Sequence, residues 1–149
     1  MRWVFLGGFA AGLFDILFAW AFWAIKAGTP AMRVSQSVAA GVLGREAFAG
    51  GWPTALLGLM LHFLITTAMA LGYSLVARHI PVLVAKPVAC GAAYGLFLFA
   101  FMRWVVVPLS AAGPPSKDPL WVGAMIVAHV ALVGIPIAVA CARAGIVAR

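Results

Sequence analysis

Long apolar runs separated by short polar stretches dominate this chain of 149 residues. Four runs reach about 20 residues or more, at about residues 3–27, 53–77, 87–109 and 120–142. As a helix rising about 1.5 Å per residue, each run crosses a hydrocarbon layer of about 30 Å. Helices are expected because a segment in lipid must satisfy its backbone hydrogen bonds internally. The pattern therefore predicts an all-α membrane protein, a four-helix transmembrane bundle forming one domain over residues 1–149.

The connection between the first two runs, residues 28–52, carries a helical pattern of its own. Three valines recur at four-residue spacing, and three polar residues point elsewhere: Val34, Val38, Val42, Arg33, Gln36 and Ser37. Thr29 followed by Pro30 is typical of a helix start, with the hydroxyl as the cap. We predict an amphipathic helix at about residues 30–48 that lies in the membrane interface or caps the bundle. A plain helical connector is the alternative.

The composition supports the same class of protein. Hydrophobic residues make up 66% of the chain and charged residues 9%, whereas soluble domains have about half and about a quarter. A soluble fold of this size could not hide so much apolar surface, which excludes a soluble enzyme or nucleic-acid-binding domain. The sequence contains no Ser/His/Asp triad, carboxylate pair or phosphate-binding glycine loop. We therefore assign no catalytic residue and favour a protein that is not an enzyme.

The net charge of +7 comes from basic residues that lie mainly beside the apolar runs. At such positions they bind anionic lipid headgroups and set topology, so no nucleic-acid partner is expected. One side of the bundle would hold Arg2, Arg78, Lys86, Arg143 and Arg149. The other would hold Lys26, Arg33, Arg45 and Lys117, partly offset by Glu46 and Asp118. Five against four favours a multi-pass protein with both termini in the cytoplasm.

Each predicted span contains one strongly ionisable side chain: Asp15, His62, Arg103 and His129. Their predicted depths agree within about 6 Å at about 1.5 Å per residue. Because a charge at the bilayer centre costs roughly 2.5–3.5 kcal/mol on insertion scales, such groups face the bundle interior and find partners. We expect an intramembrane polar cluster in which Asp15 pairs with Arg103, which a long arginine side chain can reach.

Three functions are compatible with this cluster. The first is movement or sensing of protons or a small solute, since histidine titrates near neutral pH. The second is a b-type haem with His62 and His129 as axial ligands and Arg103 near a propionate. The third is a non-catalytic accessory or scaffold subunit in which the cluster only fixes helix order. A metal site of Asp15, His62 and His129 is chemically reasonable, but no sequence motif supports it, so no metal or cofactor is expected.

Small residues predict where the helices meet. Glycine pairs at four-residue spacing mark close helix contacts, at Gly8, Gly12, Gly91 and Gly95. Four helices enclose little room for a pore, so a transport path would need a homodimer or a larger membrane complex. The glycine faces are the candidate dimer contacts.

Four further residues are secondary site candidates: Thr66, Tyr73, Cys90 and Cys141. Thr66 and Tyr73 share a helix face with His62. The two cysteines fall near the cytoplasmic ends of their helices and could meet, but they form no CxxC pair and the cytoplasmic side keeps thiols reduced.

Short stretches in both halves of the chain carry a resemblance. They are Gly12-Leu13-Phe14-Asp15, Ser37-Val38-Ala39-Ala40-Gly41-Val42-Leu43-Gly44, Leu57-Gly58-Leu59-Met60-Leu61-His62, Ala93-Tyr94-Gly95-Leu96 and Val107-Pro108-Leu109-Ser110-Ala111. In these stretches the chain resembles the YagU-like family of small bacterial inner-membrane proteins. The resemblance implies a four-helix protein of the bacterial inner membrane with a poorly defined role. It supplies no catalytic residues.

Overall fold

The computed structural model describes residues 1–145 and consists of helices and their connections. Four helices are long and apolar enough to cross a membrane: α1 (Arg2–Ala27), α3 (Gly51–Ala77), α5 (Pro87–Leu109) and α6 (Pro119–Arg143). Two shorter helices connect them: α2 (Ala31–Leu43), extended by the 3-10 turn Gly44–Phe48, and α4 (Val82–Ala85). The predicted all-helical class and its four long apolar helices are confirmed, with each boundary within two residues of its expected position.

The long helices pack around a core of small and medium side chains. Helix α1 lies against α3 and α6, and α6 also lies against α5, so α1 and α6 are the central pair. The buried core residues include Val4, Ala11, Ala70, Tyr73, Val133, Ile137 and Cys141. Alanine is frequent there because a small side chain lets neighbouring helix backbones approach closely.

The predicted glycine contacts are confirmed as contacts within the chain. A Cβ added at Gly8 would lie 2.9 Å from the Cα of Thr67 in α3, and one at Gly91 would lie 2.7 Å from the Cα of Ile135 in α6. Gly12 and Gly95 are equally close to α3 and α6. The hypothesis that these faces form dimer contacts is therefore wrong, because the chain's own helices already cover them.

Helix α2 forms over the residues for which the sequence predicts a helix. The side chains that it buries differ from those expected. Gln36, expected to point away, is only 2% exposed. Its Nε2 donates to the Gly51 carbonyl at 2.9 Å and to Thr54 Oγ1 at 3.2 Å, which ties α2 to the start of α3. Val42, by contrast, is exposed. The valine spacing therefore identified the buried face only in part. Val34 is buried and Val38 lines a cavity, but Gln36 is buried as well, because an amide that finds hydrogen-bond partners can be buried as readily as an apolar side chain.

Thr29 does not cap α2 as predicted. The N-cap is Pro30, in an extended conformation and without a side-chain cap. The N–H of Thr29 instead donates to the carbonyl of Trp23 at 3.1 Å, beside a left-handed Gly28 with φ 62°. This pattern closes the C-terminus of α1, since a left-handed glycine lets the chain fold back on the last free carbonyls.

The connection at residues 113–119 holds the start of α6 in place. Asp118 Oδ1 accepts from the N–H groups of Leu120 and Trp121 at 3.0 and 3.1 Å, which caps the helix. Its Oδ2 accepts a hydrogen bond from Lys26 at the end of α1. That hydrogen bond, with the backbone N–H groups, holds the pKa of Asp118 below its ordinary value.

Candidate functional site

A cavity of about 350 Å³ lies among the helices and brings together the four ionisable residues of the predicted cluster. Asp15 comes from α1, His62 from α3, Arg103 from α5 and His129 from α6. Thr66, one turn after His62, lines the same cavity. Similar depth along four helices therefore did identify side chains that share one space.

Asp15 is the buried acid of this cavity, with only 9% of the residue exposed. Its Oδ2 lies 3.9 Å from Nε2 of His62, beyond hydrogen-bond distance. Its Oδ1 is buried, and no group within residues 1–145 forms a hydrogen bond to it. A buried carboxylate oxygen without a partner is costly, so a cation or a hydrogen-bond donor beside Asp15 would stabilise the folded chain.

The two histidines are held by backbone carbonyls through different ring nitrogens. Nε2 of His62 lies 2.9 Å from the Gly12 carbonyl, and Nδ1 of His129 lies 3.0 Å from the Met125 carbonyl. Because a carbonyl oxygen only accepts, each of these nitrogens carries the proton and donates. In the neutral state the lone pair therefore falls on Nδ1 of His62 and on Nε2 of His129.

Arg103 does not pair with Asp15, so that prediction is wrong. Its Nη1 donates to the backbone carbonyl of Ser116 at 2.9 Å, in the connection between α5 and α6. The side chain extends toward the end of its helix, as long basic side chains near helix ends commonly do. The carboxylate and the guanidinium thus line the same cavity without forming an ion pair.

Two prolines explain why the helix is wider at Arg103 and at His129. A proline has no N–H and leaves the carbonyl four residues earlier without its helical donor. Pro108 follows the π-helical segment Met102–Val106, which contains Arg103, and Pro136 follows the π-helical segment His129–Gly134. The sequence indicated a free carbonyl ahead of Pro136, but it gave no signal for the wider helical turn that results.

The remaining wall of the cavity is mostly apolar and includes residues that sequence reasoning did not select. Phe99 places its ring edge against His129, with centroids 5.8 Å apart. Trp121 and three methionines also line the space: Met69, Met102 and Met125. Their helical spacing alone does not separate a cavity wall from an ordinary core face.

Helix α2 closes the side of the cavity near the long loop. Ser37, Val38 and Gly41 line it, and the Gly41 carbonyl accepts a hydrogen bond from the N–H of Ala111 at 3.0 Å. The α2 segment is therefore a wall of the candidate site as well as a connection.

The secondary site candidates divide between different places. Thr66 belongs to the cavity, and its hydroxyl donates to the Phe63 carbonyl at 3.2 Å. Tyr73 does not, since its hydroxyl donates to the Leu83 carbonyl at 2.9 Å and it shares a separate apolar groove with Cys90. Cys141 is buried in the core beside the Ala70 carbonyl. The two cysteines are both free, and their thiols contact different backbone carbonyls, those of Val82 and Ala70.

Two observations concern the metal ion and the haem that the sequence leaves as alternatives. Over the described part of the chain, no three His, Cys, Asp or Glu side chains are grouped to hold a metal ion. Nε2 of His62 is directed at the Gly12 carbonyl, so an axial bond from this atom would require the ring to turn.

No family model, no curated protein and no solved structure matches this chain. The geometry of the cavity is therefore what supports a function.

Proposed function

We propose that this chain is a multi-pass membrane protein that moves or senses protons or a small solute through the cavity of Asp15, His62, Arg103 and His129. Its four long helices support the membrane location by their length and composition. Each also exposes large apolar side chains on its outer face, for example Ile25 (88% exposed), Met60 (71%), Trp104 (69%) and Val127 (66%). Lipid would cover such a surface, which is unfavourable in water.

The orientation follows from the basic residues. We propose that both termini face the cytoplasm, with anionic lipid headgroups at the basic positions near the helix ends. Arg149, which contributes to that count, lies outside the described residues. On the resemblance to the YagU-like family, the membrane is the bacterial inner membrane. Helix α2 then lies at its outer interface, with its exposed side toward the headgroups.

The observation that carries the functional proposal is the carboxylate of Asp15, which lines the cavity together with two histidines and whose buried Oδ1 has no hydrogen-bond partner among residues 1–145. A carboxylate in a largely apolar cavity is stabilised by a positive group beside it. Imidazole side chains commonly relay protons, and His62 and His129 line the same cavity as this acid. Intramembrane ionisable residues of this kind commonly mark ion and proton paths.

Reconstitution into liposomes tests the proposal. Proton flux driven by an imposed pH gradient, reported by an internal pH-sensitive dye, should be present in the wild type and abolished in Asp15→Asn. The asparagine keeps the side-chain size but cannot carry the negative charge. Glu46→Gln is the matched control, because Glu46 is an exposed acid outside the cavity, and it should retain wild-type flux. Unchanged flux in folded Asp15→Asn would sink the proposal.

The rival function, a non-catalytic accessory or scaffold subunit, gives a different result in the same experiment. The wild type would then show no flux above empty liposomes, and Asp15→Asn would chiefly change thermal stability or the recovery of a complex. A homodimer or larger complex would need a face other than the glycine faces. Chemical cross-linking in native membranes distinguishes a homodimer from a larger complex that contains other proteins.

A further inference from the structure

We infer that the cavity binds an organic cation, specifically a protonated amine carried on a small apolar body. This inference rests on the proposed function, since it names the class of solute that the same cavity would take. It depends on one geometric observation: the hydrogen-bond donors around Asp15 are already engaged, whereas acceptors remain free.

The donors can be followed one by one. Nε2–H of His62 is directed at the Gly12 carbonyl and Nδ1–H of His129 at the Met125 carbonyl. The Thr66 hydroxyl donates to the Phe63 carbonyl. A neutral imidazole has one donor and one acceptor, and a hydroxyl has one donor. These three side chains therefore have lone pairs, and no N–H or O–H, left for a ligand.

Asp15 adds the strongest acceptor, because its Oδ1 is buried and has no hydrogen-bond partner among residues 1–145. An anion or a ligand with acceptors only would find no free donor on His62, His129 or Thr66 beside this carboxylate. A primary ammonium group has three N–H donors and a positive charge, and charge-assisted hydrogen bonds to a carboxylate are about twice as strong as neutral ones. It would also offset the cost of burying the carboxylate.

Arg103 does not supply the missing charge. Its guanidinium is bound to the Ser116 carbonyl at the loop end of the cavity and forms no ion pair with Asp15. We therefore expect the ammonium group of the ligand to bind beside Asp15. The apolar body of the ligand would then extend toward the loop.

The size and lining of the cavity indicate the rest of the ligand. At about 30 Å³ per water molecule, the volume of about 350 Å³ has room for a body of about ten non-hydrogen atoms. Methionines and aromatic rings line it, including Phe99 and Trp121. Aromatic faces attract organic cations, and flexible methionines adapt to differently shaped apolar groups.

Isothermal titration of the purified full chain in detergent tests this inference with three matched probes: phenethylamine, 2-phenylethanol and 3-phenylpropionate. The titration is done at about pH 8, where the amine probe is protonated. The amine should bind at least about tenfold more tightly than the alcohol, as expected for a hydrogen bond to a charged group, and the acid least of all. Equal or tighter binding of the alcohol or the acid would overturn the inference. This ranking needs no variant, so it holds even if substitutions unfold the protein.

Two variants locate the site. Asp15→Asn should weaken phenethylamine binding by about 10- to 100-fold, whereas Glu46→Gln should leave it unchanged. Amine binding that survives Asp15→Asn would place the site elsewhere and refute the assignment.

The liposome assay separates this inference from the proposed function. If Asp15-dependent proton flux is present but no amine binds, the inference fails and the proposed function stands. If the amine binds through Asp15 but neither protons nor the amine cross the membrane, the inference stands and the transport part of the proposed function fails.

Discussion

Replacing Gly95 with alanine should destabilise the bundle, because it places a methyl group against the backbone of α6. The added Cβ would lie 2.7 Å from both the carbonyl carbon of His129 and the Cα of Val130. Ordinary Cβ contacts begin near 3.4 Å, so α6 must retreat by at least about 0.7 Å at this level. Backbone atoms cannot turn aside as a flexible side chain can. Overpacking of this kind costs about 1–3 kcal/mol, reduced by up to about 1 kcal/mol of helix propensity gained on replacing glycine.

Gly123 provides the matched control, since it lies in α6 and an added Cβ would meet nothing within 4 Å. Gly123→Ala should therefore keep the wild-type free energy of unfolding or raise it by up to about 1 kcal/mol. The assay is reversible unfolding in mixed micelles of mild detergent and dodecyl sulfate, followed by circular dichroism. A folded Gly95→Ala should also lose proton flux, because the atoms that must move belong to His129. Equal stability of the two variants would refute the packing argument.

Three further predictions concern the edges of the site. The hydrogen bond from Lys26 lowers the pKa of Asp118 in the folded state. This contact therefore stabilises the fold at pH values above the ordinary carboxyl pKa of about 4. The stabilisation is lost as the pH falls through the lower pKa that Asp118 has in the folded state. The melting temperature should therefore drop less between about pH 6 and about pH 3 in Lys26→Met than in the wild type. Gln36→Leu removes the donor to the Gly51 carbonyl and to Thr54 Oγ1 at the start of α3. It should lower the free energy of unfolding by about 1–3 kcal/mol, which faster trypsin cleavage within α2 would reveal. Pro136→Ala restores a helical N–H and should convert the π-helical segment to α-helix, turning His129 in the cavity and lowering proton flux without unfolding the chain.

The four long helices and the shared depth of the ionisable residues could be predicted from the sequence, because both depend on position along a regular helix. Twenty apolar residues in a row have few alternatives in lipid, and depth follows from counting at about 1.5 Å per residue. The same regularity predicted the glycine contacts. It could not predict that Gly8 and Gly12 face α3 of their own chain and not a second copy, because spacing identifies a close contact but not its partner.

The partners of the polar side chains could not be predicted, because they depend on rotation about the helix axis and on backbone groups that the sequence does not distinguish. Arg103 binds the Ser116 carbonyl, where charge pairing had suggested Asp15, and both histidines also bind carbonyls. Every residue has a backbone carbonyl, so the residue type does not indicate which carbonyl will accept a hydrogen bond. Gln36 illustrates the same limit, since its burial depends on a carbonyl at Gly51.

The geometry of the polar cluster supports the proposed function over the alternative of packing alone. Each histidine donates from one ring nitrogen to a backbone carbonyl, His62 to Gly12 in α1 and His129 to Met125 in its own helix. Such contacts would stabilise helix packing. A cluster selected only for packing would also pair the carboxylate of Asp15 with the guanidinium of Arg103, which lines the same cavity. Instead the guanidinium binds a loop carbonyl, and Asp15 Oδ1 is buried without a hydrogen-bond partner in the described residues. Burying a carboxylate in this way costs stability, which supports our proposal that a cation completes the site.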